Sequence, residues 1–279
     1  MTELLGSHLL GRIPSPTDLR DYKLANFLHL GAEATDAEIS DLIAAGVAEL
    51  KLTTVTFKKW AATDYKDVRR THWWKALNYF EQAKQNLAPP APTGEVYVWD
   101  NPRAILNQED TNHCVGFSGV QWGNTSPVND NYTNRDGHVL YYECKVIEGE
   151  PNQENGATMR SQAKALKDRG RLSIYAFATT VEEAIEWIKL KGPVIVGTDW
   201  YDDMFNPDSD GLISVGGSLA GGHAYLCNGY DADKDELLYI NSWGTNWANG
   251  GHFRMSVSDA KYLHNLEGEI LVAVELPLV

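Results

Sequence analysis

His223 and Asn241 stand at equal distances from Ala232, the middle of the polar run Asp231-Ala232-Asp233-Lys234-Asp235. Apolar stretches flank that run, so the sequence predicts two strands joined by a polar turn. Opposed residues of an antiparallel pair keep a constant sum of residue numbers. A turn centred on Ala232 therefore sets the histidine opposite the asparagine on one sheet face. Both side chains carry chemistry, so this constraint restricts the fold more tightly than any propensity does.

Two further stretches join them. Asn107-Gln108-Glu109-Asp110-Thr111-Asn112-His113-Cys114-Val115-Gly116-Phe117-Ser118 carries a glutamine six residues before a cysteine. Gly221-Gly222-His223-Ala224-Tyr225 flanks the histidine with glycines, and Asn241-Ser242-Trp243-Gly244 follows it. Cys114 opens a stretch to Trp122 that reads as a short buried helix, whose first turn offers unpaired N–H groups and the positive end of the dipole. Such a terminus favours a thiolate by at most ~2 kcal/mol, about 1.5 pKa units. Strongly activated thiols lie several units below the free value of ~8.5. A cationic imidazole has to supply the difference, and His223 is the candidate.

The ordered set Gln, Cys, His, Asn resembles the papain family of cysteine peptidases, in particular compact bacterial or bacteriophage members. The resemblance implies an α+β, two-lobed fold, with a helical lobe holding the cysteine and an antiparallel β-barrel-like lobe holding the histidine and asparagine. It implies that Cys114 attacks a peptide carbonyl, that His223 pairs with it and protonates the leaving amine, and that Asn241 orients the imidazole. Gln108 and the backbone N–H of Cys114 would form the oxyanion hole. Asn155, Gly156 and Ala157 look like the segment that pairs with an extended peptide. Gly221 and Gly222 leave room for substrate backbone, and Trp243 would border the cleft and shield the Asn–His bond from water.

The match is specific at the three motifs and departs elsewhere. The family signature has a cysteine three residues before the nucleophile and an aromatic after it. Thr111 and Val115 occupy those positions. The intervals from Cys114 to His223 and Asn241 fall short of the usual ~130–150 residues. Trimmed loops reshape the cleft, so subsite preferences do not transfer.

Each motif also has a bland reading. A lone buried cysteine is a small core hydrophobe, a strand histidine is a satisfied core residue, and Asn-Ser-Trp-Gly is a turn with an aromatic anchor. Gln108 alone says nothing. Order and spacing favour catalysis.

Composition narrows the partners. A net charge of −14 over 279 residues argues against nucleic acid, which needs clustered Lys and Arg. No apolar run approaches the ~18–20 residues that cross a bilayer, so no membrane partner is expected. The N-terminus lacks a basic n-region, and three cysteines cannot all pair, which together suggest a cytoplasmic, reducing location. No C-x-x-C or H-E-x-x-H spacing occurs, and Asp231-x-Asp233-x-Asp235 lacks the glycine and closing glutamate of a calcium loop. No metal or cofactor is implied, and the oligomeric state is not encoded.

Along the chain, Ile13 to Tyr22 reads as the proline-punctuated start of a single catalytic domain spanning 1–279. Residues 28–88 carry two helical patterns, the first opened by the capping box Thr35-Asp36-Ala37-Glu38. They read as a helical insertion, with a propeptide-like segment as the alternative. Helices are expected from Met159 to Arg169 and after Thr180. Strands are expected at Val194–Gly197, Ala224–Cys227, Leu237–Ile240, His252–Met255 and Ile270–Val274. The expected function is a cysteine-type peptidase acting on a peptide or protein substrate. Alternatives are an acyl transferase or isopeptidase on the same scaffold, or a non-catalytic binding or structural protein.

Overall fold

The computed structural model describes residues 9–16 and 96–275. In chain order these form β1 (Arg12–Ile13), β2 (Val96–Val98), α1 (Cys114–Asn124), α2 (Asn134–Glu148), β3 (Ala157–Thr158) and α3 (Met159–Asp168). There follow β4 (Leu172–Ala178), α4 (Val181–Leu190), β5 (Val194–Tyr201), a 3-10 turn (Asp202–Phe205), β6 (Leu212–Ile213) and β7 (Leu219–Asp231). The chain continues with β8 (Glu236–Ile240), β9 (His252–Ser256), α5 (Val257–Asn265) and β10 (Glu269–Glu275). Both helical patterns within 28–88, and with them the choice between insertion and propeptide, lie outside the described residues.

The fold is α+β, as the sequence implies. Helices α1, α2 and α3 pack around Phe117, Val120, Trp122, Leu140, Tyr141 and Met159. One sheet runs in the order β4-β10-β5-β7-β8-β9-β6, with β2 also on β7, and only the β6–β9 pair is parallel. Side chains of β5 and β7 alternate between two cores. Val194, Val196, Tyr225 and Cys227 enter the strand-side core around Trp200 and Phe253. Ile195, Ala224 and Leu226 face the helices. Strand β7 thus forms the wall between the lobes, and successive residues on it reach opposite sides.

Helices α2 and α5 and strand β4 were not anticipated. Thr133 and Asp136 form a reciprocal capping box at the start of α2, and Gly149 ends it at φ 78. Ser256 caps α5 by accepting from Asp259 N–H.

The register differs from the expectation. Asp231 pairs with Glu236, so the turn spans 232–235 and is centred between Asp233 and Lys234, not on Ala232. Near the turn the pairing runs Tyr230↔Leu237 and Gly229↔Leu238; beyond a bulge at Asn228 it continues as Cys227↔Tyr239 and Leu226↔Ile240. Carried on, this register puts Asn241 opposite Tyr225, so His223 meets it as a diagonal neighbour. The turn alone would send the two side chains to opposite faces, and the extra residue at 228 restores the shared one. Asn228 is clamped for this: its carbonyl accepts from Trp99 N–H at 2.8 Å, and its Nδ2 donates to Trp99 O at 3.0 Å.

All three cysteines are free and buried. Among the described residues no helix is long and apolar enough to cross a membrane, and no group of three or more His, Cys, Asp or Glu is placed to hold a metal ion. The side chain of Asp231 accepts from the N–H groups of Asp233 and Lys234, which satisfies the turn internally.

Candidate active site

Cys114 is the first residue of α1, whose eleven residues are all buried. The N–H groups of Ala224, Gly11 and Val115 approach its sulfur. Ala224 directly follows His223 in β7, so the strand that carries the imidazole is the strand that touches the thiol.

Asn241 Oδ1 accepts from two donors at 2.8 Å, Ser242 N–H and His223 Nε2. The backbone donor identifies that atom as the oxygen, so the ring nitrogen facing it carries the hydrogen. His223 is held as the Nε2–H tautomer. Trp243 stacks on the imidazole, with centroids 4.7 Å apart and planes 22° apart, and Trp200 meets it edge-on at 5.0 Å. Phe205 in turn stacks on Trp243. This aromatic shell keeps water from the Asn–His bond, where a hydrogen bond is electrostatically stronger. Trp243 is 3% exposed, so it acts on the imidazole and offers little surface to a substrate.

Gln108 is fully buried, and its backbone N–H bonds Ser242 O. Its Oε1 accepts from Ser242 Oγ at 2.7 Å, which leaves Nε2 to donate to Thr111 O at 2.7 Å and Leu9 O at 3.0 Å. The last contact shows what covers the site. Residues 9–13 cross the junction of α1 and β7, with Gly11 O accepting from Ala157 N–H at 2.8 Å. Strand β1 pairs in parallel with β3. Gly156, at φ 94, and Gly222 admit this segment closely, since a Cβ on either would collide with the carbonyl of Gly11 or Arg12. Gly221 lies against Leu10. Of the residues expected to bind substrate, Gly156, Ala157, Gly221 and Gly222 therefore all meet the chain's own N-terminal segment. Ile13 pairs with Thr158 in the same way.

Burial under this segment pushes the Cys114 thiol up to about 11, against the lowering by the three N–H groups and by the charge of Arg12. In the covered site desolvation outweighs the helix terminus.

Asn155 is held by helix α2. Its Oδ1 accepts from Lys145 Nζ at 2.9 Å, and the same ammonium, fully buried, bonds Gly156 O at 3.0 Å and both Glu148 and Glu150 at 2.8 Å. Tyr141 hydroxyl accepts from Gly156 N–H. His113, the N-cap of α1, stacks on Tyr141 at 3.7 Å; its ring nitrogens meet Glu154 Oε2 at 2.8 Å and His138 Nδ1 at 2.7 Å. Burial lowers the His113 pKa, with Glu154 opposing and His138 reinforcing. Helix α2 therefore grips the loop 153–157 from beneath. Sequence reasoning missed Lys145, Tyr141, His113 and Ser242. His113 and Ser242 lay inside the recognised motifs, and Lys145 and Tyr141 lay outside them.

The fold and the placement of these residues define a thiol-protease scaffold. The sequence profile described as papain family cysteine protease matches residues 109–270, more than half of the chain, and the chain belongs to that family. It is 34% identical over 86 residues to cathepsin B-like cysteine proteinase 6 of Caenorhabditis elegans, covering 30% of this chain and 22% of that protein. It is 25% identical over 186 residues to an uncharacterized peptidase C1-like protein of Acanthamoeba polyphaga mimivirus, covering 63% and 57%. These matches span between about a fifth and just over half of the relatives' lengths. Among solved structures, xylellain, a cysteine protease from Xylella fastidiosa, superposes with TM-score 0.60 at 16% identity over 96% of each chain. A procathepsin B from Trypanosoma congolense does so with TM-score 0.52 at 14% identity, over 63% of this chain and 73% of that one. These two likenesses concern the fold alone.

Proposed function

We propose that the chain hydrolyses peptide bonds through Cys114, His223 and Asn241, with Gln108 in the oxyanion hole. The observation that carries this reading is the fixed tautomer of His223. With Nε2–H held by Asn241, Nδ1 is the ring atom that exchanges a proton with the sulfur.

When a substrate replaces residues 9–13, the Cys114 proton passes to His223 Nδ1 and the thiolate attacks the peptide carbonyl. The oxyanion takes hydrogen bonds from Gln108 Nε2 and Cys114 N–H. Gln108 Nε2 donates to the carbonyl of Leu9, which supports this role. His223 Nδ1–H protonates the leaving amine as the C–N bond breaks, leaving a thioester. Water, deprotonated by Nδ1, then attacks the thioester and releases the acid and the free thiol.

Activity on a fluorogenic peptide, compared between the chain and Cys114→Ala, tests the reading. Turnover is expected to vanish in the variant while its thermal midpoint stays within a few degrees. Equal turnover in both would overturn the assignment.

A further inference from the structure

The bulge that gives His223 and Asn241 a shared face is locked by a residue with no part in that chemistry. Asn228 is buried, and it bonds the main chain of Trp99 twice. Its carbonyl takes the Trp99 N–H at 2.8 Å, and its Nδ2 donates to the Trp99 carbonyl at 3.0 Å. Strand β2 pairs with Asp231, Tyr230 and Gly229, so this contact carries the ladder one residue further, onto the bulged residue. There the side-chain amide supplies the donor that a regular ladder takes from the main chain.

Trp99 is itself anchored. Its Nε1 donates at 2.7 Å to Ile188 O in the last turn of α4, one of the carbonyls that a helix end leaves without an internal partner. Beside it, Asp100 O accepts from Ser126 N–H at 2.7 Å, just past the end of α1. Further along the same segment, Leu106 O accepts from Gly244 N–H at 3.0 Å, and Gln108 N–H donates to Ser242 O at 2.8 Å. Residues 99–108 therefore form a strut from the bulge of β7, past the far end of the Cys114 helix, to the stretch that follows Asn241.

We propose that Asn228 is a positioning residue for acyl transfer: locked on the main chain of Trp99, it sets the direction in which β7 presents His223 to Asn241 and to Cys114. The inference rests on the peptidase reading and names what aims its base.

Between the bulge and the imidazole the strand is regular, pairing with β5 without interruption from Cys227↔Val194 to His223↔Thr198. A change of pitch at Asn228 is thus carried along β7 to the ring. Removing the side-chain donor leaves the buried Trp99 carbonyl without its partner and loosens the bulge. A displacement of about 1 Å at the reacting atoms suffices to cost roughly 10²-fold in rate.

The test compares Asn228→Ala, Asn228→Asp and Trp99→Phe with the full chain on one fluorogenic peptide. Asn228→Ala is expected to lower kcat about 10- to 100-fold with KM within about twofold, because the residue aims the base and holds no substrate. Asn228→Asp keeps the shape and loses the donor. Burial and the facing carbonyl hold a proton on that carboxyl to higher pH, and the protonated group donates in place of the amide. Its kcat relative to the full chain is therefore expected to recover as pH falls. Trp99→Phe keeps both main-chain bonds and loses only the Nε1 bond, so it should lower the thermal midpoint as Asn228→Ala does while retaining kcat within about threefold. Equal kcat losses in Asn228→Ala and Trp99→Phe, or an Asn228→Asp ratio independent of pH, would reduce Asn228 to a stability role and overturn the proposal.

A second arm needs no turnover: the His223 Nε2 proton is followed by NMR in Cys114→Ala, with and without Asn228→Ala. A slowly exchanging resonance is expected, broadened or lost when Asn228 is truncated. An unchanged resonance, together with full turnover in Asn228→Ala, overturns the positioning role and spares the peptidase. A resonance that depends on Asn228 in a chain without turnover does the reverse.

Discussion

Asn241 Oδ1 receives hydrogen bonds from both His223 Nε2 and Ser242 N–H, so a backbone amide ultimately dictates which imidazole nitrogen carries the hydrogen. Asn241→Ala releases the ring to the other tautomer and to rotation. The expected result is a fall in kcat on the order of 10²-fold with KM nearly constant, because the interaction serves proton transfer and not binding. A change confined to KM would contradict this role.

Ser242 positions Gln108, the proposed oxyanion donor. Its hydroxyl donates to Gln108 Oε1 at 2.7 Å and so commits Nε2 to the oxyanion side. Ser242→Ala is expected to lower kcat about tenfold, the worth of about one hydrogen bond. Gln108→Ala removes the donor itself and should cost about 10²–10³. Steady-state kinetics on one peptide substrate orders the two variants. A larger loss from Ser242→Ala than from Gln108→Ala would reverse the proposed dependence.

Lys145 holds the loop 155–157 through Asn155 Oδ1 and Gly156 O while neutralising Glu148 and Glu150. Lys145→Met strands the largely buried Glu148 carboxylate, and is expected to destabilise the protein by about 3 kcal/mol. Urea unfolding measures that loss. KM should rise more than kcat falls if the loop serves the peptide-pairing role its resemblance implies. An unchanged urea midpoint would show that the ammonium is dispensable.

His113 makes stability depend on pH. Its folded pKa lies below the ordinary 6.5, so the unfolded chain takes up the proton first. Its contribution is present above about 6.5 and is lost as pH falls through the folded value. The groups facing it are Glu154, His138, Tyr141 and Tyr142. Glu154 is held below its ordinary 4.5, chiefly by the hydrogen bond from His113, so its own loss falls at lower pH. Unfolding free energy should therefore decline between about pH 6.5 and 4.5, and His113→Gln should flatten that decline. A slope unchanged in the variant would assign the window to other groups.

The motifs singled out Gln108, Cys114, His223 and Asn241 because acyl transfer demands particular side chains in a particular order. The geometry that joins them was less legible. Symmetry about Ala232 paired His223 with Asn241, but the actual turn is off-centre and the bulge at Asn228 corrects its parity. That bulge depends on Trp99, more than a hundred residues away, so no local pattern announces it. Helix α2 had a readable start in Thr133 and Asp136, yet Gly137 and its mixed exposed face, with Val139, Tyr142 and Val146 open to solvent, blur the periodicity. Cleft occupancy by residues 9–13 was likewise unreadable, since it is a tertiary contact of a segment without a motif.

The account turns on Cys114 being activated by His223. The most direct measurement is the rate of Cys114 carboxymethylation against pH, followed by mass spectrometry in the full chain and in His223→Ala. Cys144 and Cys227, both buried and pushed up to about 12, serve as internal controls. Lifting of residues 9–13 precedes reaction in both proteins, so their ratio reports the imidazole. The account predicts that Cys114 alone reacts at pH 6 and that His223→Ala abolishes this reaction. A single titration near pH 9, identical with and without His223, would contradict it.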